Sequence, residues 1–131
     1  MADVVQSGSC ACGAVRFTTR GRPIRVGLCH CMNCRKTHGS AFNAFVVFAS
    51  KHVDLSGELR SWRSATGYEE RFCPVCGSHV VGISGTELEL SIGCFDKIGV
   101  FEPEYESWVL RREPWLAPLH VPQNEHDRVP V

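Results

Sequence analysis

Seven of the eight cysteines fall into three tight groups: Cys10-Ala11-Cys12, Cys29-His30-Cys31-Met32-Asn33-Cys34 and Cys73-Pro74-Val75-Cys76. A thiolate is both a nucleophile and a metal ligand, and closely spaced pairs of this kind offer two sulfurs to one ion. A structural zinc takes four ligands in a tetrahedron. A catalytic zinc keeps three protein ligands and leaves one position for water or substrate. Seven thiolates therefore divide most naturally as four plus three, with one ion to hold the fold and one left with chemistry to do.

The flanking residues point to the division. Cys12 is followed by Gly13 and Cys76 by Gly77. A glycine there takes positive φ at low cost and turns backbone N–H groups toward the sulfurs. Cys10, Cys12, Cys73 and Cys76 pair on this ground as a closed structural site. The alternative joins the two C-x-x-C units, Cys31/Cys34 with Cys73/Cys76, as a zinc ribbon and leaves Cys10, Cys12 and Cys29 over; both stand at this point.

Cys29, Cys31 and Cys34 form the candidate catalytic set. Arg35 and Lys36 follow it instead of glycine. Three thiolates on zinc carry a net negative charge, which these cations would offset while attracting an anionic substrate. His30, His38, His79 or Cys94 would close the site if one supplied a fourth ligand. His38 and Asp96 are candidate proton-handling groups.

The elements that must position these residues are mostly strands. Val15-Arg16-Phe17-Thr18, Phe45-Val46-Val47-Phe48, Val80-Val81-Gly82-Ile83 and Leu88-Glu89-Leu90-Ser91-Ile92 are β-branched, apolar or alternating, with a turn expected at Ser84-Gly85-Thr86. One short helix is expected from Met32 to Thr37, capped by Gly39. Trp62, Trp108, Trp115, Phe42, Phe45, Phe48 and Phe72 are expected to fill the core, a few of them lining a pocket. Prolines 114, 118, 122 and 130 suggest a tail that wraps the surface in extended form. The whole is read as one mostly β domain over residues 1–131, with a core of about 7–115 and a tail of 116–131.

At 44% apolar and 21% charged residues the composition is that of a globular protein. The formal net charge of zero, without a basic stripe, argues against nucleic acid as the partner. No stretch reads as a membrane span. Met1 to Ser9 shows no export leader, so a cytoplasmic location with reduced, metal-bound thiols is expected rather than disulfides. Nothing in the sequence defines the oligomeric state.

The run Cys29-His30-Cys31-Met32-Asn33-Cys34-Arg35-Lys36-Thr37-His38-Gly39-Ser40-Ala41-Phe42 resembles the signature of the glutathione-dependent formaldehyde-activating enzyme family, which includes centromere protein V. Further matches follow in the family's order: Gly8-Ser9-Cys10-Ala11-Cys12-Gly13-Ala14-Val15, Phe72-Cys73-Pro74-Val75-Cys76-Gly77-Ser78, Gly93-Cys94-Phe95-Asp96, Glu106-Ser107-Trp108 and Pro114-Trp115. The resemblance implies a β-tent fold, several short antiparallel sheets around two zinc ions. It assigns Cys10, Cys12, Cys73 and Cys76 to the structural zinc, and Cys29, Cys31 and Cys34 to the catalytic one. It also implies S-(hydroxymethyl)glutathione synthase activity, a carbon–sulfur lyase by classification, with glutathione as co-substrate.

The expected chemistry joins a small-molecule thiol to a carbonyl compound. A free thiol is mostly protonated at neutral pH, and only its thiolate attacks. An open zinc would hold the substrate sulfur as thiolate, or else polarise the aldehyde oxygen. Arg35 and Lys36 would meet the carboxylates of glutathione. The alternative is a zinc-stabilised binding or chaperone-like module without catalysis, for which closed sites suffice.

Overall fold

The computed structural model of the chain describes residues 4–128. Its strands are β1 (Val5–Ser9), β2 (Arg16–Arg20), β3 (Arg25–Cys29), β4 (Asn43–Ala49), β5 (Val53–Ser56), β6 (Arg60–Arg63), β7 (Glu69–Phe72), β8 (His79–Ser84), β9 (Glu87–Ser91) and β10 (Glu106–Ser107). The α-helix, α1 (Met32–His38), follows β3. β1, β2 and β5 form a three-stranded sheet. The others form a seven-stranded sheet in the order β10-β3-β4-β9-β8-β7-β6. All pairings are antiparallel except β10 with β3.

The expected strands and helix form where the pattern placed them, for identifiable reasons. α1 ends on Gly39, whose left-handed φ of 58° lets its N–H reach the Arg35 carbonyl. Gly85, at φ 60°, turns β8 into β9. β4 carries four consecutive buried apolar residues because its sheet is covered on both faces. Successive strand side chains point to opposite faces. Val46 and Phe48 accordingly join Val26, Val81, Leu90 and Phe17 in the main core, between the two sheets. Phe45 and Val47 face the other way, toward Cys29, Tyr105 and Trp108.

Close packing of the sheets depends on Gly8. A Cβ there would sit 2.3 Å from the Phe17 ring and 2.4 Å from the Cys94 carbonyl oxygen. The aromatic expectation is corrected at two positions. Trp62 is 51% exposed on the edge strand β6, and Trp115 is 72% exposed in the tail; neither lies under a covering layer. Phe45 and Phe48 are buried as expected.

The second face of the large sheet is roofed by the chain that follows β9. Glu106 is the anchor, with its side chain only 2% exposed. Its carboxylate accepts from the Leu119 N–H at 2.8 Å and from Gln123 Nε2 at 2.8 Å, and it meets His30 Nε2 at 2.7 Å. Backbone bonds from Glu106 N to the Pro122 carbonyl, from Asn124 N to the Glu106 carbonyl and from Trp108 N to the His126 carbonyl tie residues 119–127 alongside β10. The last residues of the expected tail, 129–131, lie outside the described residues.

Candidate functional site

Two turns build the four-cysteine cluster. Cys10 and Cys12 lie between β1 and β2, and Cys73 and Cys76 between β7 and β8. Gly13 and Gly77 sit at φ 81° and 78°, closing the turns with bonds from their N–H groups to the Cys10 and Cys73 carbonyls at 3.1 and 2.9 Å. The two knuckles are stitched together by Ala11 N donating to Ser78 Oγ at 3.0 Å. All four sulfurs lie within 4.8 Å of one another. Cys10 and Cys12 sulfurs are 3.6 Å apart, Cys12 and Cys73 sulfurs 3.8 Å. Tetrahedral thiolate coordination at about 2.3 Å sets sulfurs about 3.8 Å apart, so the donor set fits a metal. Val15 N and Val75 N donate to the Cys10 and Cys73 sulfurs at 3.3 and 3.4 Å. Hydrogen bonds from the Ser78 hydroxyl and N–H hold the Cys76 thiol down to about 5. The ribbon pairing of Cys31/Cys34 with Cys73/Cys76 is not formed, since the four belong to separate groups.

The second cluster is built at a strand–helix junction. Cys29 ends β3, Cys31 is the N-cap of α1, and Cys34 lies in its first turn. The cap is made by sulfur: Cys31 Sγ accepts from Cys34 N at 3.3 Å. Asn43 Nδ2, from the facing strand, lies 3.9 Å from Cys34 Sγ. The three sulfurs lie within 4.8 Å of one another, and among the described residues no histidine, carboxylate or further cysteine joins the group. Hydrogen bonds from the Cys29 and Cys34 thiols pull Cys31 down to about 2, while the same contacts drive Cys34 upward. Three such sulfurs cannot all be anionic together without a cation among them. A divalent metal removes that conflict, so the cluster could hold one.

The sequence candidates for a fourth ligand do not join the three sulfurs. His30 points away and pairs with Glu106. Cys94 packs against the main core and donates to the His79 carbonyl at 3.5 Å; burial raises its thiol to about 11. His38 stacks on His79 with ring centres 4.1 Å apart, and its Nε2 is buried without a partner. Burial, with His79 beside it, holds His38 down to about 4. Asp96 is exposed beside β1 and accepts from Ser7 Oγ at 2.9 Å, away from the cluster.

A cavity of about 560 Å³ opens directly on the three cysteines. Its floor is the second face of the large sheet: Arg25, Phe45, Glu70, Gly82, Glu89 and His79. Its roof includes Tyr105, Trp108, Asp127 and Arg128. Tyr105 lies flat on β3 because residue 27 is glycine; a Cβ there would meet the phenol ring at 2.5 Å. Trp108 adopts a left-handed φ of 54°, a conformation costing a non-glycine residue of order 1 kcal/mol or more. Its N–H bonds to His126 and its indole Nε1 donates to Asp127 Oδ1 at 2.9 Å, which hold it there.

Arg35 and Lys36 do not line this cavity. They sit with Glu113 and Trp115 around a shallow depression on the outer side of α1, where Arg35 pairs with Glu113 at 3.0 Å. The polar groups facing the cysteines are others. His79 Nε2 lies 2.8 Å from Glu70 Oε2 and its Nδ1 2.9 Å from Ser91 Oγ. Arg25 pairs with Glu87 at 2.9 Å. Burial raises Glu89 to about 7, with Glu70 and Glu87 adding and Arg25 and His79 opposing. Sequence reasoning missed Arg25, Glu70, Glu89 and Tyr105. The alternation of β9 was a signal: Leu88 and Leu90 turn to the core, so Glu87, Glu89 and Ser91 share the other face. Alternation alone does not make that face a cavity floor; the roof does.

Fold and site together define a mostly β domain with two cysteine clusters that could hold metal ions, one of them opening into a cavity. The family model for glutathione-dependent formaldehyde-activating enzymes matches residues 5–111, and the chain belongs to this family. None of the curated protein sequences matches it. A crystal structure of a Rhodobacter sphaeroides protein has a similar fold, with a TM-score of 0.57 at 19% identity over 72% of this chain and 90% of that one. Among the described residues no helix is long and apolar enough to cross a membrane.

Proposed function

We propose that this protein is a zinc-dependent enzyme of the carbon–sulfur lyase type that adds glutathione to formaldehyde or another small carbonyl compound. The family's description motivates the two substrates. One observation carries the reading: the cluster that stops at three cysteines is the one that opens into the 560 Å³ cavity. Cys29, Cys31 and Cys34 would hold the zinc, which would supply deprotonation of an incoming thiol.

The chain's own residues do the rest. Phe45, Tyr105 and Trp108 wall the approach and exclude water from the sulfur, which strengthens every polar contact inside. The reaction forms one C–S bond, opens the carbonyl π bond, and moves one proton from sulfur to oxygen. His79 lines the cavity with Glu70 behind it, and this pair is suited to deliver that proton. Arg35 and Lys36 lie on the outer side of α1, so substrate carboxylates are met from within the cavity instead.

The test is the rate of S-(hydroxymethyl)glutathione formation, followed by exchange NMR with zinc-loaded protein. Acceleration over buffer that disappears in Cys31→Ser, with the fold intact, is the expected result. A rate equal to buffer in the wild-type protein would leave a zinc-stabilised binding module as the better account.

A further inference from the structure

The cavity has two chemically different ends, and the sheet register fixes their separation. Cys29 pairs with Asn43 at one end of the β3–β4 ladder; Arg25 pairs with Val47, and Val47 with Glu89, at the other. Four residues of strand, about 13 Å, lie between these rows. The sulfur end holds Phe45 and Trp108 with the uncharged amide of Asn43. The far end holds charges of both signs: Arg25, Glu89 and, from the tail, Arg128, which acts electrostatically on Tyr105. Tyr105 is also within the electrostatic reach of Arg25.

These charges are not spent on one another. Among the described residues the Glu89 carboxyl has no hydrogen-bond partner, although burial raises it to about 7. Arg25 uses its terminal nitrogen on Glu87, and its buried Nε has no partner. Polar groups taken from water are ordinarily paired, so a carboxyl with no partner and a guanidinium Nε with none, on the strands either side of Val47 in a cavity floor, call for a ligand. A group with an ammonium and a carboxylate on one carbon would satisfy both.

We infer that the far end of this cavity binds the α-amino-acid group of a peptide thiol, with Glu89 taking the ammonium and Arg25 and Arg128 the carboxylate. The inference rests on the reading of the three-cysteine cluster as the place where the substrate sulfur is held. It sharpens that reading from thiols in general to those whose amino-acid head lies well away from sulfur. In extended glutathione the γ-glutamyl nitrogen lies about 10 Å from sulfur, and the Glu89 side chain spans the remainder. Cysteine and Cys-Gly are too short to hold both ends. Asp127 and Arg128 lie beyond residues 5–111, so this end of the cavity is partly built by a segment that the family match does not cover.

Calorimetry on zinc-loaded protein separates the two ideas. Glutathione should bind about tenfold more tightly than its N-acetyl form, in which the ammonium is gone, since a charge-assisted contact is at stake. Glu89→Gln should lose about the same factor for glutathione and nothing further for the N-acetyl form. Arg128→Ala, away from the sheet, should weaken binding in the same direction and guards against a folding defect in the first variant. The tripeptide γ-Glu-Ala-Gly has the amino-acid head and no sulfur; it should compete in the wild type and in Cys31→Ser but not in Glu89→Gln. If Glu89→Gln weakens both forms of glutathione equally, or the sulfur-free tripeptide does not compete, the inference is overturned. If instead glutathione binds Cys31→Ser as well as wild type, the thiol-binding reading falls while the amino-acid site stands.

Discussion

The two cysteine clusters use the same ligand and differ in what surrounds them. The four-cysteine cluster joins two glycine-ended turns that lie far apart in sequence, and it is walled by backbone N–H donors and Ser78. The three-cysteine cluster comes from one short stretch, with a strand end and a helix start fixing its sulfurs and a cavity in front of it. A closed set gains most from bridging distant segments, because it removes the entropy of the chain between them. An open set gains from being local, since it can lose or exchange what it holds without loosening the fold.

The largest effect should break the comparison at its structural half. Cys73→Ser or Cys12→Ser should unfold or aggregate the protein, because structural zinc contributes folding free energy of order 10 kcal/mol in small zinc domains. Cys31→Ser should keep the circular dichroism spectrum and lose one of two bound metals. Thermal melting with metal analysis on the three variants checks this. Equal destabilisation of all three would erase the distinction between the sites.

Next in size is a change at the open site that leaves the metal alone. His79→Ala should lower the turnover of glutathione and formaldehyde by about 10²-fold with both metals retained, the usual scale for a positioned proton carrier. His79→Gln preserves much of the hydrogen bonding to Glu70 and Ser91 without the proton transfer, and should be as slow. If His79→Gln kept full activity, the histidine would be a scaffold for Ser91 and no more.

The roof over the open site makes a third, smaller test, and it has a pH sign. Burial alone would raise the Glu106 carboxyl, but bonds from Gln123, His30 and Leu119 and the Arg112 charge outweigh it and hold it low. A depressed carboxyl contributes stability that is present above its ordinary value of 4.5 and lost as pH falls through the folded value. The tail over β10 should therefore loosen in acid, seen as faster amide exchange at Leu119 and Asn124. Glu106→Gln should show that faster exchange at neutral pH, at a cost of about 2 kcal/mol. The four-cysteine knuckles should keep their protection in Glu106→Gln at neutral pH.

How much of this was legible in the sequence follows the range of each signal. The cysteine groups, Gly13, Gly77 and Gly39 act locally, and the turns and the helix cap form where they predict. The pairing of Cys10/Cys12 with Cys73/Cys76 was legible because both knuckles carry the same glycine. Buried strands such as β4 were readable as apolar runs. What lay out of reach depends on chain crossing over chain. Glu89 reads as an ordinary polar strand residue until Tyr105, Trp108 and the tail roof it. Arg35 and Lys36 follow the ligands in sequence, yet a helix turns adjacent residues to different sides, and theirs is the outer one. Trp62 and Trp115 misled for the converse reason: size predicts burial only where another layer exists.

The smallest effect concerns the charge on the cavity floor, and it sharpens the contrast between a site built to be closed and one kept open. A carboxyl raised from 4.5 to about 7 is protonated in the folded protein where the unfolded chain is ionised. Its contribution to stability is complete below pH 4.5 and is lost as pH rises through about 7. The groups around it act in both directions: Glu70 and Glu87 raise it, Arg25 and His79 lower it. Partial exposure to the cavity reduces the effect, so the penalty at pH 8 should be about 1 kcal/mol rather than the value a dry site would give. Glu89→Gln should consequently melt at a higher temperature than wild type at pH 8 and at nearly the same temperature at pH 5. A substitution that stabilises the fold while weakening the ligand is what a binding group held against its own preference produces. Equal melting temperatures at both pH values would mean that the Glu89 carboxylate is already solvated in the empty cavity, and that its site is open to water in a way the three cysteines are not.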